Sequence, residues 1–284
     1  MSCEMIPGLS AVVDNYDLFL VDQWGVLHNG EVAHDGAVEA MERLRATGHK
    51  VIILSNSGKR VEDSFDRMER MGIHSGLYDH VVTSGEQVHR NFQQMTDAFY
   101  QALGARYLIF TWDAGNRAVM AGSGKTEVED IDEADFIMCT GTNQGDLDYY
   151  VPILEKARAR DLPLLCANPD LVSVAPDGTL KMCPGKVALT YEEMGGRVRW
   201  HGKPTPEIYD FCKALEPQAK RILGVGDSLR HDIKGAQQAG GHGLFVCGGI
   251  HGPELGAPVN VDKLKALCSE VGITPEYAVA KFVW

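Results

Sequence analysis

Residues 17–30 read DLFLVDQWGVLHNG, and the way this stretch is punctuated decides the fold. Leu18, Phe19, Leu20 and Val21 form an unbroken apolar run, too short for a helix, that ends at Asp22 just ahead of Gly25. Such a run predicts a strand buried on both faces, as parallel strands are. Ligands of open α/β sheets bind beyond the carboxyl ends of the strands, so Asp22 is either a turn cap or the first residue of a site.

The flanking sequence repeats the pattern. Val38, Met41 and Leu44 fall at helical spacing until Gly48, VIIL (51–54) follows as a strand, and SNSG (55–58) is the loop at its end. Val61, Phe65, Met68 and Met71 mark a second helix that ends at Gly72, and Val81-Val82 reads as a strand running into TSGE. Three βα units in succession predict a parallel sheet. Further on, YLIFTW (107–112), ADFIMCT (134–140) and LPLLCA (162–167) are candidate strands. Leu147, Val151, Leu154 and Arg158 lie on a helix between the last two. VSVAPDGTLKM reads as a hairpin turning at Pro176-Asp177-Gly178. RVRW (197–200), a helix near Pro206, RILGV (221–225), a helix around 232–239 and GLFV (243–246) are expected to supply the second half of the main sheet. The tail from Val259 reads as one helix and a short terminal segment.

Composition narrows the function classes. With 284 residues, 44% of them apolar, the chain can bury a substantial core in one large or two ordinary domains. No apolar run approaches the length of a membrane helix, and MSCEMIPGLS lacks the pattern of a secretory signal, so the expected location is the cytosol. The seven cysteines are odd in number and contain no CxxC pair, which predicts buried thiols and neither a disulfide framework nor a zinc site. A net charge of -12 with no basic run argues against nucleic acid as a partner. GSGKT (122–126) is not a phosphate loop, because Val119 stands where the pattern requires its first glycine. The ten histidines show no HExxH spacing, so imidazole ligation of a metal is not expected.

Four short elements remain, each directly after an expected strand: VDQWGVL (21–27), LSNSG (54–58), HGKPTPEIY (201–209) and GVGDSLRHDIKGA (224–236). Together they offer a carboxylate nucleophile, a hydroxyl, an ammonium and a carboxylate pair. In this order and placement they resemble the haloacid dehalogenase (HAD) superfamily of phosphohydrolases, most closely its NagD-like branch of sugar and para-nitrophenyl phosphatases (class IIA). The resemblance implies an α/β fold with a doubly wound, Rossmann-like core from residues 1–86 and 186–284. An inserted α/β cap would span residues 87–185, and the helix opening with Gly185 and Lys186 would return the chain to the core.

Residue by residue, the resemblance makes Asp22 the nucleophile, forming an aspartyl-phosphate that water hydrolyses. Asp22, Asp227 and Asp232 would repel one another without a cation, and oxygen-only ligands select Mg²⁺. Asp22, Asp227 and the Trp24 carbonyl would bind the ion, with Asp232 binding it or orienting its waters. Ser55, the Asn56 backbone N–H and Lys203 would hold the phosphoryl oxygens. Asn168 and Asp170, in NPD (168–170), would face the substrate with Trp24. The expected partner is therefore a small phosphate ester, without nucleic acid or membrane; a homo-oligomer is compatible with the sequence.

One position departs from the family's pattern. Two residues after the nucleophile the family has an aspartate that protonates the leaving oxygen and later activates water; this chain has Trp24, and indole cannot do that work. His28, His201 and the cap are the candidates to replace it, and the plain structural reading of Trp24 is an aromatic wall against the cap. Two alternatives stay open because of it: a phosphate-binding or regulatory protein that lost turnover, or a phosphonate-cleaving or phosphotransfer chemistry.

Overall fold

The computed structural model describes residues 3–142, 145–175 and 179–284. Its strands are β1 (Glu4–Met5), β2 (Leu18–Val21), β3 (Lys50–Ser55), β4 (His80–Thr83), β5 (Arg106–Phe110), β6 (Thr126–Glu127), β7 (Phe136–Cys139), β8 (Pro163–Cys166), β9 (Val172–Val174), β10 (Leu180–Met182), β11 (Arg197–Trp200), β12 (Ile222–Gly226), β13 (His242–Val246) and β14 (Tyr277–Val279). Seven form one parallel sheet in the order β1-β14-β13-β12-β2-β3-β4, and five a second in the order β11-β8-β7-β5-β6, also parallel. The fold is thus α/β with two parallel sheets. No helix among the described residues is long and apolar enough to cross a membrane.

The apolar run of β2 is continuous because both its faces are covered. Phe19 and Val21 join Val51, Ile53, Leu223 and Val225 on one side, under Met41 and Leu44 of the helix Ala37–Ala46. Leu18 and Leu20 join Ile52, Leu54 and Ile222 on the other, against Tyr209 and Cys212 of the helix Pro206–Leu215. Each fully buried side chain of this size contributes roughly 1.5–3 kcal/mol relative to exposure, which fixes β2 at the centre. Its neighbours are β3 on one side and β12 on the other, so the order of connection reverses at the β2–β12 boundary. The Val21–Val225 register then brings the residues that follow both strands to one crevice.

Two expectations are corrected by the second sheet. RVRW does not extend the main sheet: β11 pairs with β8. The helix Pro184–Glu193, which contains Gly185 and Lys186, does not return the chain to the core, because Val187, Ala188 and Tyr191 pack in the second sheet's cluster with Leu164 and Cys166. The chain leaves that sheet only after Trp200, well beyond the expected boundary at 186. The reason is that β8, this helix and β11 make one more crossover unit, whose sequence pattern is the same whichever sheet it joins. The turn expected at Pro176-Asp177-Gly178 lies outside the described residues, and its two arms, β9 and β10, pair antiparallel. β14, within the tail read as a short segment, pairs with β13 and extends the main sheet.

Candidate active site

The carboxyl ends of β2, β3 and β12 converge on a buried cluster of charge. Asp22 follows β2, and its backbone N–H donates to the Val225 oxygen at 2.9 Å. Asp227 follows β12. Asp232 comes one turn later, on the π-helical turn Leu229–Ile233, which the Ser228 hydroxyl caps by accepting from the His231 N–H. Carboxylate oxygens of Asp22, Asp227 and Asp232 all lie within 4.8 Å of one another. Gly25, at φ +80°, lets this packing occur, since a Cβ there would sit 2.0 Å from Asp227 Oδ2.

Lys203 is the cluster's internal cation. Its Nζ donates to Asp22 Oδ1 at 2.6 Å, Asp232 Oδ1 at 2.6 Å and the Leu54 carbonyl at 3.0 Å. Asp232 Oδ2 accepts from Ser228 N at 3.0 Å, and Asp227 Oδ2 from Ile250 N at 2.7 Å. Burial raises Asp22 to about 7, with Lys203 opposing the rise and Asp232 adding to it. Burial, then the charges of Asp22 and Asp232, hold Asp227 well above the usual carboxylate range. Burial works against the Lys203 ammonium, but Asp22 and Asp232 outweigh it and keep it protonated. Three carboxylates and one ammonium leave two negative charges when all are ionised. A divalent cation bound by hard oxygens neutralises them, so the donor set fits Mg²⁺ in both charge and chemistry.

The other expected residues surround this cluster. Ser55 ends β3, and its Oγ accepts from Ser57 N at 3.2 Å. Asn56 joins the two sheets: its Oδ1 accepts from Lys203 N at 2.8 Å, and its Nδ2 donates to Asp170 Oδ1 at 2.8 Å. Asp170 thus reaches the cluster from the second sheet, whereas Asn168 shapes the same loop, its Oδ1 accepting from Asp170 N at 3.0 Å. Trp24 turns its indole to the separate two-stranded pair β9–β10, donating from Nε1 to the Val174 oxygen at 3.0 Å.

Each histidine named as a substitute donor is buried, with one ring nitrogen bonded and the other without a partner among the described residues. His28 Nδ1 accepts from Gly30 N at 3.1 Å, and burial, then Arg67, push the ring down to about 4. His201 Nε2 bonds Tyr100 Oη at 2.8 Å, and burial, then Arg199, push it down to about 3. Both rings are neutral near pH 7. The residue that sequence reasoning missed is His231, whose Nδ1 lies 3.1 Å from Asp170 Oδ1. It sits inside GDSLRHDIKGA, but only the π turn makes it face the second sheet, and nothing in the sequence announces that turn.

A family model described as haloacid dehalogenase-like hydrolase matches residues 19–136, and a second HAD-like hydrolase model matches residues 200–267. A haloacid dehalogenase-like hydrolase from Brucella suis is 30% identical, covers 98% of this chain and all of its own, and superposes with a TM-score of 0.82. The 4-nitrophenylphosphatase of Schizosaccharomyces pombe is 25% identical over 84% of this chain and 86% of its own. A glycerol phosphate phosphatase from Mycobacterium tuberculosis, crystallised with magnesium, shares the fold at a TM-score of 0.68, with 22% identity over 97% of this chain and 76% of its own.

Proposed function

Since the chain belongs to the haloacid dehalogenase-like hydrolases, we propose that it is a cytosolic, Mg²⁺-dependent phosphohydrolase acting on a small organic phosphate through an aspartyl-phosphate on Asp22. In this reading the seven-stranded unit is the catalytic core and the five-stranded unit its cap. The observation that carries it is the Lys203 bridge between Asp22 and Asp232, beside Asp227, at the strand ends where the sheet order reverses. A carboxylate can approach a phosphate dianion only where positive charge is concentrated. Lys203 supplies part of that charge and orients Asp22 through Oδ1. Asp22, Asp227, Asp232 and the Trp24 carbonyl would hold Mg²⁺, which supplies the remaining positive charge. The Ser55 hydroxyl and the Asn56 backbone N–H would bond the phosphoryl oxygens, so the reacting phosphorus is oriented in line with Asp22. Water then attacks the acyl phosphate, breaking its P–O bond and restoring the carboxylate.

Phosphate release from a panel of aryl, acyl and sugar phosphates, with and without Mg²⁺, tests the reading. Mg²⁺-dependent release abolished by Asp22→Asn supports it. Trp24, which cannot donate a proton where the family has an acid, favours a second reading: a protein that binds phosphate without turning esters over. Calorimetric binding of inorganic phosphate with no release from any ester would establish that reading instead.

A further inference from the structure

Trp24 sits two residues after the proposed nucleophile, yet its side chain is committed elsewhere. The indole N–H is bonded to the backbone oxygen of Val174, 150 residues away on β9 of the two-stranded pair β9–β10. The loop that carries it is built to present the ring this way. Gly25 N donates to the His28 oxygen at 2.9 Å, Leu27 N to the Gln23 oxygen at 2.8 Å, and Asn29 Oδ1 accepts from the N–H groups of Glu31 and Val32. Gly30 lies under the ring at φ +98°, where a Cβ would stand 2.2 Å from Trp24 Cη2. His28 meets the indole edge-on at 5.7 Å between centroids, and the Arg67 guanidinium lies 5.9 Å over it.

The bond's other end matters as much. Val174 lies four residues beyond Asp170, whose carboxylate accepts from Asn56 and faces His231. The segment from 170 to 174 is therefore held by the first sheet at both ends: at Asp170 by Asn56 and His231, and at Val174 by Trp24. Asn56 also holds Lys203 N, so the first anchor leads straight to the charged cluster. The second starts on the loop that carries Asp22.

We propose that Trp24 is a positioning residue whose indole N–H, together with the anchor at Asp170, fixes the segment from 170 to 174 beside the carboxylate cluster and so sets the size of leaving group admitted there. This rests on the phosphohydrolase reading for its selectivity arm alone. A single hydrogen bond of this kind biases a local equilibrium by up to about tenfold. That is enough to keep the chain at Val174 predominantly docked.

The test is replacement of Trp24 by benzothienylalanine, an isostere whose sulfur cannot donate, with Trp24→Phe as a second, ordinary variant. Two quantities are measured: hydrogen exchange of the amides from 172 to 175, and kcat and KM for 4-nitrophenyl phosphate against a bulkier naphthyl phosphate. The proposal expects exchange to rise about tenfold in both variants. It also expects the preference for the smaller ester to fall by a similar factor through the KM of the larger one, while inorganic phosphate still binds. If the isostere leaves exchange and preference unchanged, the ring merely packs and the proposal is overturned. If the wild-type protein hydrolyses no ester, the phosphohydrolase reading fails, and the exchange measurement alone then decides whether the hairpin is held by the N–H.

Discussion

Lys203 Nζ lies 2.6 Å from Asp22 Oδ1 across 181 residues of sequence, both side chains buried. An ammonium in this position does two things at once. It offsets part of the repulsion among three carboxylates, and it leaves the second oxygen of Asp22 outside the pair. Lys203→Ala removes the partner of two buried charges, a change that typically costs 3–5 kcal/mol. We expect a Tm lower by many degrees without divalent cation and weakened binding of inorganic phosphate. Lys203→Arg should not restore turnover, because a planar guanidinium cannot reproduce a point charge bonded to Asp22, Asp232 and Leu54 together. Recovery of full activity in the arginine variant would show that charge alone suffices.

The cluster's two uncompensated negative charges make a quantitative demand on the cation. Mg²⁺ should raise Tm progressively, by the equivalent of about 2.7 kcal/mol when its concentration is a hundred times its Kd. Asp227→Ala deletes a ligand outside the hydrogen bonds that Lys203 makes to Asp22 and Asp232, so the Mg²⁺-dependent increment should vanish with activity. Calorimetry showing wild-type Mg²⁺ affinity in this variant would remove Asp227 from the site.

His201 gives the fold a dependence on pH that is separate from catalysis. It is buried beside Tyr100, and burial lowers it to about 3 from an ordinary value near 6.5. The folded state therefore binds fewer protons than the unfolded state between these values. Stability is complete above pH 6.5, falls as pH drops below it, and stops falling near pH 3. From pH 7 to pH 5 the loss attributable to this ring is about 2 kcal/mol. Urea unfolding at the two pH values should show it, and His201→Gln should remove that part of the difference. An unchanged difference in the variant would assign the acid sensitivity to other groups, His28 first among them.

Much of this was legible in the sequence because apolar runs and strand-end polar residues report local environment. LFLV at 18–21 had to be buried on both faces, Asp22, Ser55, Lys203 and Asp227 stood just after or at the ends of expected strands, and Asp232 opened the helix expected next. What could not be read was which sheet a βα unit joins, as with β11. The same limit hid Asp170's partners, since Asn56 and His231 lie 114 and 61 residues away and meet it only through the packing of one sheet's ends on the other's. Trp24 was read as an aromatic wall, but its bond to a backbone oxygen leaves no mark on residue type at Val174.

Gly30 tests the seat of that ring. Gly30→Ala forces a Cβ into Trp24 Cη2 at a positive φ that alanine rarely adopts. Each source of strain is of order 1 kcal/mol or more, so a loss of about 1–3 kcal/mol is expected in chemical denaturation. If the ring moves away instead, tryptophan fluorescence should change while stability holds. An alanine variant with wild-type stability and wild-type emission would mean that the loop relaxes without disturbing the indole.

The most discriminating prediction concerns the leaving group. His28 and His201 are neutral and bonded to Gly30 N and Tyr100 Oη, and Trp24 has no proton to give an ester oxygen. In the proposed reaction the leaving oxygen then departs as an anion, so rates should follow its basicity steeply. Acyl and aryl phosphates should react, and sugar phosphates should lag by up to the roughly 10²–10⁴-fold that a general acid supplies. Trp24→Asp restores a carboxyl two residues after Asp22 and should raise turnover of alkyl esters selectively. The same change also removes the indole bond to Val174, which by itself would loosen the chain at that point and lower KM for bulky esters. The two effects separate cleanly, because donor chemistry appears in kcat and scales with leaving-group basicity, whereas hairpin loss does neither. Single-turnover rates across aryl phosphates of graded acidity provide the measurement. A flat dependence in the wild-type protein would mean that another residue protonates the leaving oxygen, and His231, held 3.1 Å from Asp170 at the edge of the cluster, is where mutagenesis should then begin.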